Sequence, residues 1–268
     1  PETWLAIQPV VRIPVAGQEL ILVQPSTSAI VFLLGFVAIG VGLYFLRIRD
    51  GQTSRGWWGV ALLLWGVGAL LAGVSYEAFS YQIKCAGRSA CVWTSGWELA
   101  YLVLSVASID AMVMAQAHSC ASGRLRKALS LYALINFALY VAAVAIGALV
   151  PVKFLISFEL LILAAAPSIL IFFVLNGWRY TKLRTSMDLA LLGAWVWLAL
   201  TIGAYFIYYL SGLTQALWAQ GRWFSENDVL HIGLLLWMLY LALAVAPRIK
   251  DDAGDETFTI RPASRCES

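Results

Sequence analysis

Charge is scarce in this chain of 268 residues: charged side chains make up 12% and apolar ones 61%, with a mean hydropathy of +0.80. No ordinary water-soluble domain carries so little charge on its surface, so the composition is that of an integral membrane protein. Histidine is scarcer still, with only His118 and His231, and two histidines at distant ends argue against haem or chlorophyll. The last apolar stretch, Val229 to Pro247, has no lysine to form a Schiff base, which excludes retinal. Nucleophile-elbow, phosphate-loop and clustered Cys/His motifs are missing. No repeat of fixed period and no inverted duplication is visible, which weighs against a carrier.

What the chain does have is length of apolar run. Segments at about 26–47, 57–80, 95–118, 128–149, 153–177, 187–211 and 226–246 are each long enough to cross roughly 30 Å of hydrocarbon as a helix, which takes about 20 residues. Barrel strands would be half as long and would alternate in polarity. The expected fold class is therefore an all-α integral membrane protein with seven transmembrane helices. An outer segment (1–25) precedes the bundle (26–247), and a tail (248–268) follows it.

Basic residues set the expected orientation, because Lys and Arg are retained on the cytoplasmic side. Arg47, Arg49, Arg55, Arg124, Arg126, Lys127, Arg179, Lys182, Arg184, Arg248, Lys250, Arg261 and Arg265 fall on one side. Arg12, Lys84, Arg88, Lys153 and Arg222 fall on the other. The N-terminus is thus expected outside and the C-terminus in the cytoplasm, as in a bacterial inner membrane or its equivalent. The net charge of +3 follows from this asymmetry and needs no nucleic-acid partner.

Cys85 and Cys91 share a short polar loop on the expected outer side, where a disulfide can persist, with two free thiols as the alternative. Cys120 and Cys266 fall inside and should stay reduced. Residues 1–25 lack the basic start and unbroken apolar core of a signal peptide; Val10 to Val15 and Leu20 to Val23, broken by prolines, suit short extended pieces on the outer surface. The tail after Pro247, with Asp251, Asp252, Asp255 and Glu256, reads as solvated and flexible. Trp57, Trp58, Trp178, Trp93, Trp97, Trp218 and Trp223 sit at helix ends as interfacial anchors, whereas Trp195, Trp197 and Trp237 lie nearer mid-membrane.

Candidate chemistry gathers on the outer side, where alternating helix directions bring together the end of helix two and the starts of helices three, five and seven. Glu77, Glu98, Glu159, Asp228 and His231 share that level, with Asn227 one turn before His231 and Ser75, Tyr76, Ser80, Tyr101 and Ser157 as neutral hydrogen-bonding neighbours. Carboxylates and an imidazole in low dielectric must share protons, find cations or bind metal. Zinc, iron or manganese suits such ligands, and the water on that ion becomes a nucleophile. The competing reading is solvation: Glu77, Glu98 and Asp228 lie close to helix ends, while Glu159 is the deepest of the set.

One family resemblance fits this layout. Gly73-Val74-Ser75-Tyr76-Glu77-Ala78-Phe79 ends helix two, Glu98 opens helix three, and Asn227-Asp228-Val229-Leu230-His231 opens helix seven. The chain resembles alkaline ceramidases, within the seven-helix hydrolases that include the progestin and adiponectin receptors. That group places Ser-x3-His, an acid and His-x3-His at these positions and binds zinc with three histidines. Ser75, Glu98 and His231 match, whereas Phe79 and Asn227 stand where two zinc histidines belong. The resemblance implies a lipid amide or ester hydrolase in which Glu77, Asp228 and His231 hold one divalent metal. Glu98 would act as base and Ser75 would steady the oxyanion, with a membrane lipid as substrate.

The alternative is a non-enzymatic receptor-like sensor, or an accessory subunit packed on a membrane protein partner, with Gly35, Gly40, Gly42, Gly66, Gly68 and Gly73 allowing close approach within the bundle or to that partner. A second, inward patch places Asp110, Met114 and His118 on one face of helix three with Cys120 beyond, either a soft-metal or proton path or simply a hydrated helix end. Asp110 needs a partner inside the bundle, and Asn136 is one candidate.

Overall fold

The computed structural model describes residues 1–15 and 18–252. A short helix α1 (Glu2–Ala6) leads into an antiparallel hairpin of β1 (Val10–Val15) and β2 (Gln18–Val23), in register from Val10 opposite Val23 to Val15 opposite Gln18. Seven helices long and apolar enough to cross a membrane follow, as expected from the apolar runs. They are α2 (Pro25–Arg47), α3 (Thr53–Ala72, prolonged by a π-helical stretch Gly73–Ala78), α5 (Gly96–Cys120), α6 (Gly123–Leu149), α7 (Phe158–Leu183), α8 (Ser186–Ser211) and α10 (Glu226–Tyr240, prolonged by π-helical Leu241–Val245). Short helices α4 (Ser80–Lys84) and α9 (Leu213–Ala219) lie in the loops that follow α3 and α8.

Glycine brings α2 and α3 together. A Cβ on Gly66 would lie 2.6 Å from Ile39 Cγ1 and 2.7 Å from the Gly35 carbonyl, and one on Gly42 would lie 3.0 Å from the Gly59 carbonyl. The backbones therefore approach more closely than any side chain permits, which maximises dispersion contact where no hydrophobic effect drives helix association. Gly40, by contrast, has nothing within 4 Å.

Aromatic side chains fill the centre. Trp58 stacks between Phe45 and Trp195, Trp195 lies 4.1 Å from Phe172, and Trp237 meets both Trp65 and Trp195. Trp58, expected as an interfacial anchor, is fully buried; it lies one turn inside α3, which begins at Thr53 rather than at residue 57. Trp237 and Tyr240 donate to the carbonyls of Ala194 and Ala190, pinning α10 to α8.

The extended pieces expected near the N-terminus pair as the hairpin, and only the tail differs from its expected looseness. Ile21 and Val23 are buried, because β2 packs on the π-helical end of α3 and on α4. At the other end the first residues after Pro247 fold back on the bundle: Ile249 is fully buried, and the Asp251 carboxylate accepts the Thr53 and Ser54 backbone N–H groups at 2.7 and 2.8 Å. Arg55 donates to the Ile249 carbonyl, and Asp252 N–H to that of His118. A helix N-terminus with four free N–H groups captures this acid, which is why residues 248–252 are ordered. Asp255, Glu256 and Cys266 lie outside the described residues.

Candidate functional site

The site on the N-terminal face begins with a backbone irregularity. In the π-helical end of α3 the Phe79 N–H bonds to the Val74 carbonyl, which adds one residue to the turn and rotates the face that follows; such insertions recur at functional sites. Glu77 sits in this turn, 7% exposed, with its Oε2 fully enclosed and without a partner among the described residues. Ser75 is also buried, and its hydroxyl is spent on the Leu71 carbonyl at 2.8 Å.

Asp228 faces the same region from α10. Ser225 caps that helix, and Asp228 closes the reciprocal box: its Oδ2 accepts the Ser225 backbone N–H at 2.6 Å and the Ser225 hydroxyl at 3.0 Å. Its Oδ1 is buried and makes no hydrogen bond of normal geometry among the described residues, with the Thr27 hydroxyl as a further neighbour acting on the carboxylate. Thr27 of α2 meets Ser225 at 3.2 Å, Ser26 donates to the Trp223 carbonyl, and Thr214 of α9 donates to Glu226. The charges of Asp228 and Glu226 both act on Glu77. The result is an acidic recess with two free carboxylate oxygens and no Lys or Arg paired with either acid among the described residues.

The remaining expected members are placed elsewhere or are already engaged. Glu98 is buried, completes the capping box of α5 with Ser95 and pairs with Lys84 at 2.6 Å. Glu159 is exposed rather than deepest. Lys153–Ile156 forms a separate 3₁₀ turn, and α7 starts only at Phe158, capped by Ser157, which puts Glu159 in the first turn of the helix. Asn227 is half-buried and makes no described side-chain hydrogen bond. His231 has an enclosed Nδ1 with no hydrogen-bond partner among the described residues.

Glu77, Asp228 and His231 thus do not close into a ligand set: among the described residues no three His, Cys, Asp or Glu side chains gather as a metal-binding group. Cys85 and Cys91 are joined in a disulfide in the loop after α4.

A second polar layer, near the opposite face, escaped the sequence reading. Gln116, Ser119, Asn176 and Asp188 are fully buried, and Arg179 is 9% exposed. Arg179 Nε donates to Asp188 at 2.8 Å and its Nη1 to the Cys120 carbonyl. Thr185 donates to the other Asp188 oxygen, and Asn176 to Gln116 at 2.6 Å. Counting basic residues by side places Arg179 on the C-terminal face without a partner. The signal that could have found the pair is Thr185-x-x-Asp188, a helix-start pattern whose acid lies nine residues beyond that arginine. Asp110 does find Asn136, whose Nδ2 meets both carboxylate oxygens at 3.0 and 3.1 Å.

Fold and site together define a multi-pass, seven-helix membrane protein with a buried acid pair, one acid in the π-helical turn on which the N-terminal hairpin packs. The chain belongs to a family of unknown function (DUF6962), whose model matches residues 27–250 and so takes in Glu77, Asp228 and both polar layers. No curated protein and no solved structure matches it.

Proposed function

We propose that this protein is a non-enzymatic, receptor-like membrane sensor whose recess at Glu77 and Asp228 takes up a cationic ligand from outside the cell. The observation that carries this reading is the pair of enclosed carboxylate oxygens, one on each acid, that make no hydrogen bond of normal geometry and no ion pair among the described residues. A buried acid left unpaired is costly, and a cation or ammonium group removes that cost. The recess lies where α2, the π-helical end of α3 and α10 meet, and β2 packs on that π-helical end, so an occupant would bear on three helices at once. The excess of basic residues on the opposite face supports an orientation with the N-terminal face outside, in a bacterial inner membrane or its equivalent.

The metal-dependent lipid hydrolase implied by the likeness to alkaline ceramidases is the competing arm of one experiment. Detergent-purified full-length protein, never exposed to chelator, is analysed for metals, and its thermal unfolding is followed with ethanolamine, spermidine, Mn²⁺ and Zn²⁺. The sensor reading expects saturable stabilisation by an amine, about 2.7 kcal/mol at a hundredfold excess over Kd. Glu77→Gln and Asp228→Asn lose it, and Glu159→Gln keeps it. About one zinc, iron or manganese per chain, lost in both Glu77→Ala and His231→Ala, would overturn the sensor and favour the hydrolase. No response to any of the four probes would also overturn it.

A further inference from the structure

A cleft of about 660 Å³ opens between α3 and α6, with α5 as its floor. Its volume falls within the range of ligand pockets, roughly 300–1,000 Å³. Trp57, Val60 and Leu64 form one wall and Leu131, Leu134 and Phe137 the other. Val60, Leu131 and Leu134 are 37%, 57% and 65% exposed, so the cleft opens sideways toward lipid.

The two ends of the cleft differ in chemistry. Asp110, tied to Asn136, stands at the deep end, and Arg126 and Lys127 stand at the mouth. Asp110 is ten positions before the end of α5 at Cys120, which at 1.5 Å per residue puts it about 15 Å in, the depth of one leaflet's hydrocarbon.

The mouth is arranged for an anion. Arg124, Arg126 and Lys127 all fall in the first turns of α6, a helix with no acid in its first turn and no side-chain cap at Ser122. Cations are disfavoured at that end of a helix and anions are favoured. Arg126 is held in place by its bonds to the Ala121 and Asp252 carbonyls at 2.9 and 2.8 Å, and no described residue bonds to its Nη1. Retention of basic residues on one side of the membrane explains which face they occupy, but it does not explain why two of them rim an apolar cleft one leaflet deep.

We propose that this cleft is a binding site for an anionic phospholipid of the leaflet on the C-terminal face, its phosphate on Arg126, Lys127 and the α6 N-terminus and one acyl chain running between α3 and α6 toward Asp110. The site is separate from the Glu77 recess and stands whether or not that recess binds a cation.

Native mass spectrometry of the full chain in detergent, with phosphatidylglycerol and phosphatidylcholine as probes, tests it. Phosphatidylglycerol should bind as a single retained molecule, and phosphatidylcholine at least tenfold more weakly. Arg126→Gln with Lys127→Gln should weaken phosphatidylglycerol about tenfold or more, since each basic residue near the surface contributes several-fold. Leu134→Trp, which fills the chain path and leaves charge untouched, should weaken it as well, and it keeps the test valid if loss of the Arg126 bonds unfolds the protein. Lys182→Gln with Arg184→Gln removes the same charge from the same face away from the cleft and should change nothing. Equal loss in this control, equal binding of the two lipids, or full binding by the Leu134→Trp variant would each overturn the proposal.

Discussion

Replacing Asp188 by alanine should be among the most damaging single changes in the bundle. Asp188 is fully buried and accepts from Arg179 Nε at 2.8 Å and from Thr185 Oγ1 at 2.6 Å. Its loss leaves the Arg179 guanidinium, 9% exposed, with the Cys120 carbonyl as its remaining described acceptor. Stranding one charge of a buried pair costs about 3–5 kcal/mol, and the lost first-turn acid of α8 adds a few tenths more. At roughly 2–4 °C per kcal/mol for a chain of this size, the unfolding midpoint should fall by about 10 °C or more. Arg179→Met should cost about as much, because it strands the carboxylate instead. The double variant should cost far less than the sum of the two, since no charge is left to desolvate, so the coupling should reach about 3 kcal/mol. Thermal unfolding of the detergent-purified variants, followed by helical circular dichroism, reads all three. A single-variant loss under about 1 kcal/mol, the size typical of exposed pairs, or simple additivity would refute the argument.

Gly66→Val should destabilise by about 1–3 kcal/mol or prevent assembly, because its Cβ would meet the Gly35 carbonyl at 2.7 Å; Gly40→Ala, with open space around it, should change the midpoint little. Burial tends to raise the Asp251 carboxyl, yet hydrogen bonds from Ser54 and Thr53 hold it below its ordinary 3.8. Its contribution is therefore complete above that value and is lost as pH falls through the depressed one. The fall in unfolding midpoint between about pH 5 and 2 should be shallower in Asp251→Asn than in the native chain. Reducing the Cys85–Cys91 disulfide, which closes a loop of sequence separation 6, should cost about 2 kcal/mol, measured as a lower midpoint in dithiothreitol that a Cys85→Ser variant no longer shows.

The bundle was legible because a membrane imposes its length on the chain, so apolar runs map directly onto α2, α3, α5, α6, α7, α8 and α10. The starts of α5 and α10 were legible in part, since their acids fall in first turns, although the serine caps went unread. The depth of Glu159 was not, because hydropathy ran the apolar stretch through Lys153–Ile156, where the backbone breaks into a 3₁₀ turn. Trp58 was misplaced by the same means: a tryptophan near a helix end looks like an anchor unless the preceding turn, Thr53 to Trp57, is known to be helical. Arg179 and Asp188 were invisible as a pair because counting basic residues by side treats every arginine near a helix end as solvated. The return of Ile249 and Asp251 onto α3 depends on a long-range contact with Thr53 and Ser54 that no local pattern announces.

The treatment of buried acids separates scaffold from site. Glu98, Asp110, Asp188, Glu77 and Asp228 are all under 9% exposed. Glu98 has Lys84 and its capping serine, Asp110 has Asn136, and Asp188 has Arg179 and Thr185. Each of these three is satisfied within the protein, as a group whose task is to hold helices together must be. Glu98 Oε1 makes no hydrogen bond but is met by Lys84 as an ion pair, whereas Glu77 Oε2 and Asp228 Oδ1 have neither a hydrogen bond of normal geometry nor an ion pair among the described residues. These last two acids lie on elements set apart from the regular bundle, a π-helical turn and a helix start. A sequence able to satisfy three buried acids with near neighbours did not need to leave two open in the same recess. Local rules fail where function imposes a different demand, and this contrast is what supports the proposal that an external cation completes the pair.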